Sequence, residues 1–365
     1  MSMISTIDAN AFSAALKKLV AAVPKKSAVP ALTGILAEFT EDSCRLTAGD
    51  LNVWMRASLP ADGDTFSLVF PDPQNMERIC GHFKGELSVE LWGTEDAQKA
   101  TLRCGGKGAE FPVMPTQNYP KIPACEPTAI YRTGAESLYG RIKSVKYATA
   151  HWNSKNLTLG GVRFEGAHVF CVDGQRMAVN DDKGLTVKEP FIIPAPAMEH
   201  LKAFGKEEIG VAVGKRYVNF EGGSVSLLCR RMEPVDGIHV ETSIPRTSKE
   251  AYHVDRKKYS DTIQYLLACA KGMRTPYALF RGGCLTVWNG DAMYQAKVET
   301  AGESELEYAF DLRYMKDALT QFSGEEYVQI KTSGGISPLV LSAGGAATAL
   351  VLTVRLGGAW MKDAA

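Results

Sequence analysis

The stretch LTLGGVRFEGAHVFCVDGQRMAV, residues 157–179, decides how this chain folds. Apolar residues alternate with polar ones at the period of two that half-buried strands show, and an Asp-Gly pair breaks the run where a chain can turn. The reading is strand, polar turn, strand, Asp-Gly, strand. Two other stretches follow the same order, GILAEFTEDSCRLTAGDLNVWMRASL at 34–59 and YALFRGGCLTVWNGDAMYQAKV at 277–298, each with a Gly-Asp pair before its third strand.

Working outward, a second strand set follows each of them, beginning at LSVELWGTEDAQKATLRC (87–104), IGVAVGKRYVNFEGGSVSLLCR (209–230) and YVQIKTSGGISPLVLSAGGAATALVLTVRL (327–356). Two linker-like segments, PTQNYPKIPACEPTAI (115–130) with four prolines and SIPRTSKEAYHV (243–254), separate the copies. The chain therefore reads as an α+β protein of three tandem repeats, 1–126, 127–247 and 248–365.

Each repeat contains two helical windows, recognised by apolar residues three and four apart. They are AFSAALKKLVAAVPKK, PQNMERICGHFK, AESLYGRIKSVK, PAMEHLKAFGK, DRKKYSDTIQYLLACAKGMR and DLRYMKDALTQFSG. In the first, Phe12, Leu16, Leu19, Val20 and Val23 form the stripe and leave Lys17 and Lys18 outside it; in the fifth, Tyr259, Ile263, Leu266, Leu267 and Ala270 leave Lys257 and Lys258 outside. Across the six windows Lys and Arg outnumber Asp and Glu by more than two to one, although the whole chain holds 41 of each sign. Lys26, Arg78, Arg141, Lys143, Lys146, Lys202 and Arg313 belong to the same set. Helices that shared one surface would offer it to phosphates without reading bases.

Other chemistry is not suggested. The eight cysteines are scattered with no C-x-x-C pair, which reads as reduced, buried thiols, and the six histidines never fall at metal-ligand spacing. No Walker loop and no G-x-S-x-G elbow occurs, so neither a catalytic residue, a metal nor a cofactor is expected. MSMISTIDANAF is not a signal peptide and no window resembles a membrane span, which leads to the expectation of a cytoplasmic protein without a membrane partner.

Three repeats, AVPALTGILAEF (28–39) leading to LTAGDLNVWMRASL (46–59), CVDGQRMAV (171–179), the SIP at 243–245 and the closing LVLTVRL (350–356) together resemble the bacterial DNA polymerase III β subunit, the β sliding clamp family, over essentially the whole chain. The resemblance implies a head-to-tail homodimeric ring with helices on the inner face around duplex DNA and antiparallel sheets outside. It implies a processivity factor that is not an enzyme and that tethers the polymerase III α subunit, the clamp loader and other proteins through short clamp-binding peptides. The implied peptide pocket comprises Leu159, Gly174, Arg176, Met177, Ile238, Tyr314, Ile336, Pro338, Leu350, Val351, Leu352 and Val354, with Arg176 at its rim and Met177 in its floor. The implied subunit contact uses Phe111 on an edge strand against Ala268 and Cys269 on a helix of the other copy. Gln175, Ile238 and Thr353 depart from residues common in the family, and GGAWMKDAA (357–365) extends past the usual Arg-Leu end, where Trp360 and Met361 either return to the pocket or stay away from it. The second reading is a divergent clamp-fold scaffold that does not close a stable ring.

Overall fold

Among the described residues, four of the five longer α-helices begin in the same way. Asp8, Asp72, Asp255 and Asp311 each stand immediately before a helix and accept a backbone N–H of its first turn, from Ala11 (2.8 Å), Asn75 (3.3 Å), Lys258 (2.9 Å) and Arg313 (2.9 Å). A carboxylate there satisfies a donor that the helix leaves unpaired and faces the positive end of its dipole. In this computed structural model, which describes residues 2–94, 97–150, 157–181, 184–233, 237–301 and 306–356, these helices are Ala9–Leu19, Pro73–Cys80, Arg256–Cys269 and Leu312–Thr320. The fifth is Ala135–Val145. The window at 196–206 differs from expectation, because Ala195–Phe204 winds as a 3-10 helix.

The apolar stripes behave as read. Phe12, Leu16 and Leu19 are fully buried, as are Ile263 and Leu266, while Lys17, Lys257 and Lys258 lie exposed on the opposite faces. Ala9–Leu19 packs against Pro73–Cys80, and Arg256–Cys269 against Leu312–Thr320.

All the named strands pair antiparallel, in three sheets. The first runs from Lys107–Pro112 through Ala97–Cys104, Glu86–Thr94, Met3–Asp8, Val53–Gly63, Val225–Arg230, Tyr217–Gly222 and Glu208–Gly214 to Pro127–Gly134. The second includes Gly161–Gly166, His168–Val172, Arg176–Asp181, Ala347–Val351, Leu339–Ser342, Tyr327–Thr332 and Glu250–Asp255. The third runs from Ala292–Lys297 through Cys284–Asn289, Tyr277–Arg281 and Tyr308–Asp311 to Thr353–Val354.

Two ladders join strands far apart in sequence. Val53–Ala57 pairs with Val225–Cys229, and Arg176–Asn180 with Ala347–Val351. Each carries one sheet past a junction between successive sequence repeats. The chain accordingly gathers into two compact units, Met1–Tyr139 with Pro196–Arg231, and Gly140–Ala195 with Met232–Ala365, so strands of the middle third are divided between them. The extension at 357–365 lies outside the described residues.

Phe111, the apolar edge residue of the expected subunit contact, also packs into its own unit. It sits on the edge strand Lys107–Pro112, but its ring is only 8% exposed and meets Phe70 edge-on at 6.5 Å. Successive strand residues face opposite ways, so the outward positions are its neighbours Glu110 and Pro112, both exposed. Ala268 is exposed and Cys269 half-buried on their helix. Phe111→Asp is therefore expected to destabilise the first unit by roughly 3 kcal/mol or more, since it places an unpaired carboxylate in an apolar core. Chemical denaturation checks this; a variant of unchanged stability would mean that the ring is not part of the core.

Candidate functional site

The turn after His168–Val172 is built by Asp173. Its Oδ1 accepts from the backbone N–H groups of Gln175 (2.9 Å) and Arg176 (3.0 Å), and Gly174 takes the left-handed conformation, φ 90°, that this tight reversal needs. The strand that leaves the turn places consecutive side chains on opposite faces of the sheet, and this separates the residues expected to form one pocket.

On one face lies an apolar cluster of Phe170, Val172, Met177, Val179, Val340 and Leu350, closed by Val240 and edged by Leu159, Ile238, Ile244 and Leu352. Five expected pocket residues, Leu159, Met177, Ile238, Leu350 and Leu352, thus come together. Met177 forms part of the floor, 2% exposed, while Leu159, Ile238 and Leu352 are half-buried at the margin. Val351 points to the other face and is buried in the core behind the sheet.

Arg176 also turns to that other face. Its Nε donates to Asp173 Oδ2 at 2.9 Å and an Nη to Asp317 Oδ2 at 2.5 Å. The guanidinium carbon stands 4.8 Å from the Tyr314 ring centre and 5.5 Å from that of Tyr147. Burial works against the charge, but the two carboxylates outweigh it and hold the guanidinium above its ordinary pKa. Planar stacking with two directed ion pairs is a geometry that arginine supports and lysine does not. The arginine expected at a ligand-binding rim is thus held by its own chain, which fastens the turn to the helix Leu312–Thr320. Asp317 and Tyr147 were not singled out from sequence, because nothing local links them to residue 176.

The remaining expected pocket residues line two further hollows. Ile336, 61% exposed, and Val354 border an apolar groove of about 280 Å³ with Leu279, Tyr308, Ala309 and Leu356. Pro338 borders a polar cleft beyond Val340.

The basic side chains divide as well. Lys202 pairs with Glu199 at 2.5 Å, Lys258 with Glu299 at 2.8 Å, and Arg313 with Asp311 at 2.5 Å. Arg141 is buried, which removes it from any exposed basic face, and Lys146 is half-buried. Arg78 is exposed and donates to the Asn75 side chain at 2.6 Å. Among the described residues, Lys17, Lys18, Lys26, Lys143 and Lys257 have no acidic partner within 4.0 Å, and all but the half-buried Lys18 are exposed. All eight cysteines are free; burial pushes the Cys44 and Cys80 thiols up to about 12, which leaves them protonated and unreactive at neutral pH. No group of three His, Cys, Asp or Glu suited to a metal ion occurs among the described residues.

The latch at Arg176 has a measurable strength. Arg176→Ala is expected to cost about 2 kcal/mol, and Arg176→Lys to recover less than half of it. In a double-mutant cycle by urea denaturation, Asp317→Asn should add little once the arginine is gone. Full additivity would show that the two side chains do not act together.

Comparison with known proteins places this architecture. Residues 3–123 match the profile of the DNA polymerase III beta subunit, N-terminal domain. The beta sliding clamp of Staphylococcus aureus is 22% identical over 377 residues, covering 96% of this chain and 98% of the relative. The sliding clamp of Bacillus subtilis superposes with a TM-score of 0.83 at 18% identity, over 98% of this chain and all of the other. A Pseudomonas aeruginosa clamp bound to griselimycin gives a TM-score of 0.82 at 18% identity, over 98% of this chain and 100% of its own. The first third of the chain thus matches the family model of the DNA polymerase III beta subunit's N-terminal domain, and the chain as a whole has the fold of the sliding clamps that it resembles.

Proposed function

We propose that the chain works as a DNA sliding clamp made of three clamp domains, 1–126, 127–247 and 248–365, two copies of which join head to tail around duplex DNA. The observation that carries this reading is the two-sidedness of the helices. Their apolar stripes are buried, while Lys17, Lys18, Lys143 and Lys257 stand on the remaining faces, and Lys26 in the segment that follows the first helix, without acidic partners among the described residues. Such lysines attract phosphates at any sequence and at a strength that falls with salt, which suits a protein that must hold DNA and slide along it. Lys202, Lys258 and Arg313 contribute less, being partly neutralised in place.

The sheet edges support a subunit contact. Lys107–Pro112 ends the first sheet and Ala292–Lys297 ends the third, and each pairs on one side only among the described residues. Two different free edges on one chain suit a heterologous contact that repeats head to tail. The apolar cluster around Met177 and Leu350 serves as a dock for short peptide segments of polymerases and other replication proteins. A tethered enzyme gains effective concentration at the primer end without any chemistry from the clamp.

The test combines electron microscopy with retention on DNA. At micromolar concentration the protein should average as closed rings, and clamps loaded on a nicked circular plasmid should stay with it through gel filtration and leave when it is linearised. Replacing Lys17, Lys18, Lys26 and Lys257 together by alanine should reduce retention several-fold and flatten its salt dependence. Release unaffected by linearisation, or crescents without rings, would move the function to a partner scaffold.

A further inference from the structure

The outer surface of the second sheet changes character across a few residues. Beyond Val340, at the margin of the apolar cluster, a cleft of about 350 Å³ opens between Ile244–Ser248 and the strands Tyr327–Thr332 and Leu339–Ser342. Arg246 and Lys331, both exposed, supply two cations to its wall. Seven Ser and Thr residues surround them, among them Ser248, Ser333, Ser342 and Thr348, and no Asp or Glu contributes to the lining. Neither cation has an acidic partner within 4.0 Å among the described residues. Glu250 pairs across from Thr332, one position off register from Lys331, so strand alternation carries it to the other face.

We propose that this cleft is an oxyanion subsite, and that it receives the carboxylate of an acidic residue in a peptide whose apolar residues occupy the neighbouring cluster. The inference rests on the peptide-docking reading and narrows the class of peptide that fits. Two arguments carry it. The first is continuity, because Ile244 and Val340 belong to both the apolar cluster and the cleft, so one short extended segment spans both. The second is charge. Two unpaired cations among hydroxyls, with no carboxylate in the wall, favour an anion and disfavour a basic side chain, and hydroxyl donors complete the coordination of a carboxylate. Arg176 does not compete for it, being held by Asp173 and Asp317.

The experiment uses the full-length protein and fluorescein-labelled hexapeptides that carry two Leu or Phe residues and one Asp, moved through the remaining positions, each with its Asn counterpart. Fluorescence anisotropy should find positions where Asp binds about tenfold tighter than Asn, with the advantage shrinking as salt rises. Arg246→Ala with Lys331→Ala should erase that advantage while leaving the Asn peptides unchanged, and Leu350→Asp should abolish binding of both kinds. Equal affinity of Asp and Asn peptides at every position overturns the subsite and leaves the peptide dock intact. No binding by any peptide overturns the dock and the subsite together. If the double variant instead loses retention on plasmid DNA with peptide binding unchanged, the cleft is a phosphate contact and the proposal fails.

Discussion

Everything else in this molecule depends on two short antiparallel ladders, Val53–Ala57 against Val225–Cys229 and Arg176–Asn180 against Ala347–Val351. Each joins strands more than 160 residues apart, so the chain closes a long loop to form it, and backbone hydrogen bonds hold the junction directly. Repeats joined only by prolines would be free to reorient. Repeats joined by a shared sheet inherit its twist and register, and a slip by one residue would turn Met177 inward and Arg176 outward. The candidate site exists because the second ladder lies in that register, since Met177 and Leu350 are direct partners in it.

Much of the fold was legible because its signals are local. Strand alternation, the Asp-Gly turn and the helical stripes each lie within a few residues, and the structure places Phe12, Leu16, Ile263 and Leu266 where their spacing put them. Residues whose meaning depends on a distant partner were less legible. Arg176 reads as a rim residue until Asp317 and Tyr314 arrive from a helix about 140 residues later. Phe111 reads as an apolar edge residue, and nothing local to it reveals that Phe70 packs against its ring. Val351 was grouped with Leu350 and Leu352 because the family pattern is contiguous there, although a strand cannot point three successive side chains to one side.

The balance of charge shows the same separation of roles. A chain with 41 positive and 41 negative residues creates no overall field, so attraction to phosphate depends on which cations keep their charge unopposed. Arg313 beside Asp311 and Lys202 beside Glu199 serve local structure, while Lys17 and Lys257 are exposed without an acidic partner among the described residues, as the proposed attraction to phosphate requires. Arg176 is the extreme case, a cation fully committed to its own fold.

The free edges at Lys107–Pro112 and Ala292–Lys297 tie the chain's solubility to its assembly. An uncovered strand is a template for any extended chain, and these two are guarded by Lys107, Glu110 and Pro112 on one and by Lys297 on the other. In the dimer proposed above, two copies cover each other's edges and that liability disappears. The stress that exposes it is then dilution rather than heat, so a preparation kept concentrated should outlast one kept cold and thin.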